Sequence, residues 1–306
     1  MSAPSVPMIR QTAGAAAARS AARRRPDRNG VGSERRPRWL TYVLLTLAIL
    51  ISAYPLYFAV LLASSTSAQI AQNPIPSLVP GGELFANLGR VLESDIDLWQ
   101  AILNSILVST ATAVSVVMFA TLAGYSFAKL RFRGRRPLLV FVIATMAVPT
   151  QLGVVPLFIV MRELGLVGSL WAVILPGMVT AFGVFWMTQY LEAALPYELV
   201  EAARVDGASM IRTFWSVALP AARPAATMLG LFTFIASWTN FFWPSIVLGT
   251  KNPTLPVALQ LLQAGFFKDI ALIMAGVVIS VIPLVVLFVV AGRQLVAGIM
   301  QGAVKG

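Results

Sequence analysis

The chain has 306 residues; 58% are hydrophobic and only 11% are Asp, Glu, Lys or Arg, less than half the roughly 25% charge of a soluble domain. A net charge of +11 raises the case of a nucleic-acid binder, but such proteins spread their basic residues over a polar fold. With no His and no Cys, the sequence excludes a His-based triad, an imidazole relay, a thiolate nucleophile, a disulfide and any His or Cys metal ligand.

In chain order, residues 1–38 are rich in Ala and Arg with Pro and Gly and lack apolar periodicity, which reads as a disordered basic cytoplasmic tail. Six apolar runs follow: Leu40–Leu62, Ala101–Phe127, Pro137–Met161, Leu170–Tyr190, Ala225–Leu248 and Ile270–Ala291. Each meets the roughly 20 residues that a membrane-crossing helix needs. The first, about 23 residues long, exceeds the roughly 7–15 of a signal-peptide core. Cleavage at the small residues Ala63–Ser64–Ser65 is the competing reading, and an uncleaved span is preferred. The connection 63–100 is polar, carries turn signals at Asn73–Pro74 and Pro80–Gly81–Gly82, and has room for a short amphipathic helix around Phe85–Leu92.

None of the six runs contains Asp, Glu, Lys or Arg. That weighs against an ion-coupled carrier, whose intramembrane charges are working parts. The halves show no internal repeat, which weighs against a repeat-built secondary carrier. Five of the six runs contain proline, at Pro55, Pro149, Pro156, Pro176, Pro244 and Pro283, so kinks are expected. The pairs Ala120/Gly124, Gly177/Ala181 and Gly276/Ser280 permit close helix crossings.

Charge sorts by connection. The N-tail, the 128–136 loop, the 191–224 loop and the C-tail 292–306 hold 19 of the 23 Lys and Arg. Lys129, Arg131, Arg133, Arg135 and Arg136 are the densest group. The positive-inside rule therefore places both termini in the cytoplasm, and the basic excess reads as a topology label. Nucleic acid is not an expected partner.

The 191–224 loop carries the functional information. Pro196 suits the first turn of a helix, with Glu198 and Glu201 near its positive end. Ala202 and Ala203 are good helix formers, Gly207 takes the left-handed conformation that stops a helix, and Ser209 caps a second one, expected to end by Leu219–Pro220. The result is a short helix, an Asp206–Gly207 turn and another short helix, projecting from the membrane as a compact knob. A solvated amphipathic connector is the plainer reading of the same physics.

Spacing favours the knob. Glu201-Ala202-Ala203, Asp206-Gly207-Ala208, Phe214, Leu219-Pro220 and Pro224 together resemble the EAA loop of binding-protein-dependent ABC import permeases. With Pro196, Glu198 and Leu199, the pattern looks like the maltose-type carbohydrate branch. The resemblance covers about residues 39–306. It implies an all-α, polytopic membrane protein with six transmembrane helices and the type I ABC importer permease fold. Residues 1–38 would be a tail, 39–306 the permease domain, 191–224 its cytoplasmic coupling loop and 292–306 its C-tail. Lys305 in that tail would reach toward the ATPase dimer.

The resemblance further implies a non-catalytic subunit in a bacterial inner membrane. Its partners would be a second permease subunit, two cytoplasmic ATPase subunits, an extracytoplasmic binding protein and membrane lipid. The chain lacks Gly-x-x-x-x-Gly-Lys-Ser/Thr, so this subunit would need no cofactor, ATP and Mg being bound by the ATPase. Glu201, Ala202, Ala203, Asp206, Gly207, Leu219 and Pro220 would form the ATPase-coupling site. Trp238, Asn240 and Phe241 are candidates for the substrate pathway, since aromatic faces suit sugars and an amide pairs with hydroxyls. An interfacial aromatic belt is the other reading of that run. Asn104, Gln151 and Gln189 are further polar candidates. The expected cargo is a sugar, the alternative a glycerol-phosphodiester, peptide or polyamine. A membrane-embedded enzyme is disfavoured, because no nucleophile, base and metal set lies at membrane depth.

Overall fold

Long apolar stretches satisfy their backbone internally only as helices, and this chain follows that constraint. The computed structural model describes residues 39–73, 75, 78–94, 96–263 and 269–303. The basic tail 1–38 and Lys305 lie outside these. Among the described residues all regular structure is helical.

The first span is α1, Trp39–Ala63. Its leading part, up to Ala53, belongs to a unit of its own, in which every described side chain is exposed. The second unit begins at Tyr54. Two short helices follow, α2 (Ser67–Gln72) and α3 (Leu84–Leu92). Thr66 opens α2 with a reciprocal capping box to Gln69. The helix expected around Phe85–Leu92 is α3, which buries Asn87 and Val91.

α4, Leu98–Lys129, is the second span, capped by the Asp97 carboxylate on the Gln100 amide. The third predicted span is split into α5 (Arg135–Thr145), a 3-10 turn at Thr150–Gly153 and α6 (Val154–Glu163). The two parts meet at 89°. Pro149 supplies no amide to the preceding turn and forces Val148 out of helical geometry. The fourth span is also interrupted: α7 (Trp171–Gly177) carries Pro176, and α8 (Ala181–Ala194) restarts with Thr180 accepting from the Gly183 amide.

α9 (Tyr197–Val205) and α10 (Met210–Thr213) form the connecting loop. The second loop helix does not stop at Leu219–Pro220 as expected. It passes through a π-turn, Phe214–Ala218, directly into α11, Leu219–Trp238. The Leu219 amide reaches back to the Phe214 carbonyl, and Pro220 falls in the first turn of α11, where a missing amide costs little. α12 (Phe242–Val247), α13 (Leu255–Leu262) and α14 (Ile270–Ala303) complete the chain. The described residues hold five unbroken or nearly unbroken spans, and six when the bent pair α5–α6 counts as one.

Close approach of α4 and α8 sets the centre of the second unit. A Cβ on Gly124 would stand 2.6 Å from the Met187 Cβ and 2.8 Å from its carbonyl carbon, so only glycine lets the backbones touch there. Around this crossing Val116, Ala120, Met187, Leu191, Ala222, Ala225 and Leu229 form a buried cluster. A second cluster joins Val108, Met161, Ile174, Trp243 and Val247. A third joins Ala63, Val91, Leu98, Trp238, Leu255 and Ala275.

Polar side chains bind the connections at each end of the bundle. At one end the Arg90 guanidinium lies 2.6 Å from Asp269, which also accepts from Ser67 at 2.7 Å and from the Leu272 amide at 3.0 Å. Burial alone would raise the Asp269 carboxyl; these hydrogen bonds and the Arg90 charge outweigh it and hold it below its ordinary value. Asn104 donates to the Pro253 carbonyl at 3.0 Å and Asn252 to that of Gly168 at 2.9 Å. Asn104 thus serves helix–loop packing. At the other end lies the 197–213 segment.

Candidate functional site

Two contacts from the end of α4 hold the α9 segment in place. Lys129 is buried, and its ammonium donates to the Glu192 carbonyl at 3.2 Å. The Arg131 guanidinium lies over the Tyr197 ring, 5.4 Å from its centroid, a cation–π contact. The basic loop expected at 128–136 and the loop 191–224 therefore share one end of the spans.

Helix α9 is anchored by one face and presents the other. Val200 is fully buried among Leu195, Phe214 and Tyr125. Glu198, Leu199, Glu201, Ala202 and Val205 are exposed, and Ala203 is half-buried. Glu198 lies in the first turn and Arg204 in the last, each matched to the helix dipole. Val205, with 87% of its surface exposed, is the most solvent-facing apolar residue of the loop.

The turn closes as a Schellman motif. Gly207 takes φ +77°, its amide bonds to the Arg204 carbonyl at 3.0 Å, and the Ala208 amide bonds to that of Ala203 at 2.9 Å. Ser209 then caps α10 through the Arg212 amide. The Glu201 and Asp206 carboxylates are exposed and enter no ion pair or hydrogen bond among the described residues. Two free carboxylates and several small or apolar side chains are thus exposed together on α9 and its turn.

Leu219 and Pro220 lie outside that set, at the junction of the π-turn and α11. Leu219 is partly buried against the main cluster. Met210, Ile211 and Trp215 are exposed beyond the turn and with Phe119, Leu122 and Tyr125 line a groove. Sequence reasoning missed this groove, and it missed Lys129 and Arg131 as holders of the loop. Apolar Ile211 and Trp215 in the second short helix of the loop were the available signal for the groove.

The three pathway candidates do not converge. Trp238 is buried, stacks on Phe234 with centroids 5.9 Å apart, and donates its indole N–H to the Ser280 carbonyl at 3.3 Å. The helix ends at Thr239; Asn240 is half-buried and Phe241 exposed. Trp243 points into a different cluster and donates to the Ala172 carbonyl at 2.9 Å. Gln151 and Gln189 are exposed.

Residues 117–297 match the binding-protein-dependent transport system inner membrane component family. The chain belongs to that family. The match spans the buried crossing of α4 and α8, the whole α9–α10 loop and most of α14. An arabinooligosaccharide transport system permease of Halalkalibacterium halodurans is 30% identical over 88% of this chain and 96% of its own length. A lactose transport system permease of Rhizobium radiobacter is 28% identical, covering 89% and 97%. An sn-glycerol-3-phosphate transport system permease of Agrobacterium fabrum is 29% identical, covering 88% and 98%. Among solved structures, a chain of a bacterial ABC transporter involved in importing the acidic polysaccharide alginate superposes with a TM-score of 0.71 and 25% identity, over 83% of this chain and 94% of that one. The family's description as an inner membrane component agrees with the all-helical, multi-span architecture.

Proposed function

We propose that this protein is one transmembrane subunit of an ATP-driven importer, that it carries a sugar delivered by an extracytoplasmic binding protein, and that α9 couples it to a cytoplasmic ATPase. The single observation behind the coupling role is the exposed ridge on α9, with unpaired Glu201 and Asp206 and the Gly207 turn, anchored from behind by Val200. Glu201 would pair with a basic residue of the ATPase cleft, Ala202 and Ala203 would allow close approach, Asp206 and Gly207 would hold the turn, and Leu219–Pro220 would link the ridge to α11. The charge distribution, with 19 of 23 Lys and Arg in the two tails and the 128–136 and 191–224 loops, supports placing these loops and both termini in the cytoplasm. The plasma membrane of a bacterium is the setting this implies.

The complex would pair this chain with a second permease subunit and two ATPase subunits that bind ATP and Mg. Closure of the ATPase pair would carry α9 with it and, through the π-turn, move α11. Switching nearly all of the population requires the two states to be biased by about 5.5 kcal/mol.

The sugar assignment leans on the relatives that are named for arabinooligosaccharides and lactose. One observation favours a second reading, a phosphorylated solute: other relatives are named for sn-glycerol 3-phosphate. Purifying the complex with its binding protein and screening ligands decides between them. A binding protein that holds a neutral sugar supports the first reading, and one that holds only a phosphorylated solute or a peptide overturns it.

A further inference from the structure

The groove between the end of α4 and the start of the run that becomes α11 has a length and a lining that suit a hydrocarbon chain. Its α4 side runs from Met118 to Leu130, a rise of about 18 Å along the helix. One leaflet of a bilayer, half of a hydrocarbon core about 30 Å thick, is close to that length. The other side is Met210, Ile211, Phe214 and Trp215. The groove measures about 420 Å³, and no charged side chain lines it.

The floor is closed and the walls are open. Tyr125 and Phe214 are buried, with ring centroids 6.0 Å apart. Phe119, Leu122 and Trp215 are exposed, and Ile211 shows 72% of its surface. Polar atoms are withdrawn from the lining: Ser126 gives its hydroxyl to the Leu122 carbonyl at 2.9 Å, and the Tyr125 hydroxyl is buried. A lipid tail needs no hydrogen bond, whereas an extended peptide laid here would leave its amides and carbonyls unpaired.

Charge gathers at one end of this apolar surface. Arg131 directly follows Leu130, and Arg212 directly follows Ile211, one helical turn before Trp215. Both are exposed and enter no ion pair among the described residues. Arg133, Arg135 and Arg136 continue the same connection. The acidic side chains of this end, Glu192, Glu198, Glu201 and Asp206, belong to α8 and to α9 with its turn, and none lines the groove. Basic pockets beside spans on the cytoplasmic side attract anionic headgroups.

We propose that this groove is a binding site for an acidic phospholipid of the cytoplasmic leaflet, with an acyl chain along Phe119, Leu122, Ile211 and Trp215 and the phosphate paired with Arg131 and Arg212. A neutral lipid would fill the same walls and leave the two guanidinium charges without a counter-charge. The bound lipid would touch α4 and the start of α11 together, the two elements that flank α9. This inference needs the membrane setting and the sidedness of the charge; it does not depend on the cargo or on the coupling role of α9.

The chain contains no cysteine, so Ile211→Cys gives this subunit a single thiol on the groove wall, to which a benzophenone maleimide is attached. The assembled complex, its other subunits freed of cysteine, is placed in nanodiscs of equal parts phosphatidylcholine and phosphatidylglycerol and irradiated. Intact mass identifies what the probe has captured. Phosphatidylglycerol adducts should outnumber phosphatidylcholine adducts about fivefold or more, the worth of one basic side chain near an anionic headgroup. Arg212→Gln in the same background should cut that ratio about fivefold, and Arg212→Lys should keep it. The purified, assembled complex is the sample throughout, so a variant that fails to fold never enters the comparison. Equal capture of the two lipids overturns the site, because that is bulk bilayer. Capture of the second permease subunit or the ATPase overturns it too, because the groove is then a protein interface. A ratio unchanged by Arg212→Gln and Arg131→Gln together, or no lipid adduct at all, also refutes it.

Discussion

Arg131 covers the ring of Tyr197 at 5.4 Å, and this contact ties the end of the second span to the first residue of α9. Tyr197 begins the helix whose far face carries Glu201 and Ala202, so the pair fixes where the ridge stands relative to the bundle. Arg131→Ala removes a contact of about 0.5–2 kcal/mol. The expected outcome is a several-fold loss of ATPase stimulation by the loaded binding protein, with membrane insertion unchanged. Arg131→Lys should retain part of it. ATPase rates of the purified complex check this.

Gly124 is the packing point least able to accept a side chain. Gly124→Val would drive methyl groups into the Met187 and Thr188 backbone, which already lies 2.8–2.9 Å from the Cβ position. Overpacking of this kind costs on the order of 1–3 kcal/mol or more. The yield of folded protein and the Tm in detergent should both fall. At Gly89, where a Cβ meets nothing within 4 Å, the Gly→Ala change should leave them in place.

The Arg90–Asp269 pair gives a pH prediction. The Asp269 carboxyl is held low in the folded chain, so its contribution is complete above the ordinary carboxylate value. It is lost as pH falls through the lower folded value. Because the Arg90 side chain is 51% exposed, solvent screening limits the effect to below about 1 kcal/mol. Asp269→Asn should lower Tm slightly at pH 7, and the difference from wild type should shrink in acid. Thermal melts across pH 3–7 check it.

The spans were legible because a membrane helix needs only a long apolar run. What proline would do was not. Pro55 and Pro283 sit inside unbroken helices, Pro149 accompanies an 89° bend, and Pro176 precedes a break. The residue type is identical; whether neighbours re-satisfy the freed carbonyls decides the outcome, and that depends on packing. The aromatic run 238–243 looked like one surface because its residues are adjacent in sequence. The helix end at Thr239 turns Trp238 and Trp243 into separate clusters and leaves Phe241 outside. The Gly207 turn and the capping Ser209 were legible because both act locally, through backbone geometry. Lys129, Arg131 and Val200, which hold α9 from behind, make contacts with distant residues and left no local signature.

The central claim is that α9 transmits ATPase movement to the spans, and Gly207→Pro with Glu201→Lys tests it most directly. Proline fixes φ near −65°, which the turn at φ +77° cannot accept, and Glu201→Lys reverses the charge offered to the partner. In proteoliposomes holding the assembled complex, ATP-driven sugar uptake and binding-protein-stimulated ATPase activity are measured side by side. Both should fall to background in each variant, with the permease chain inserted at wild-type levels. Wild-type uptake in the two variants would contradict the coupling role of α9.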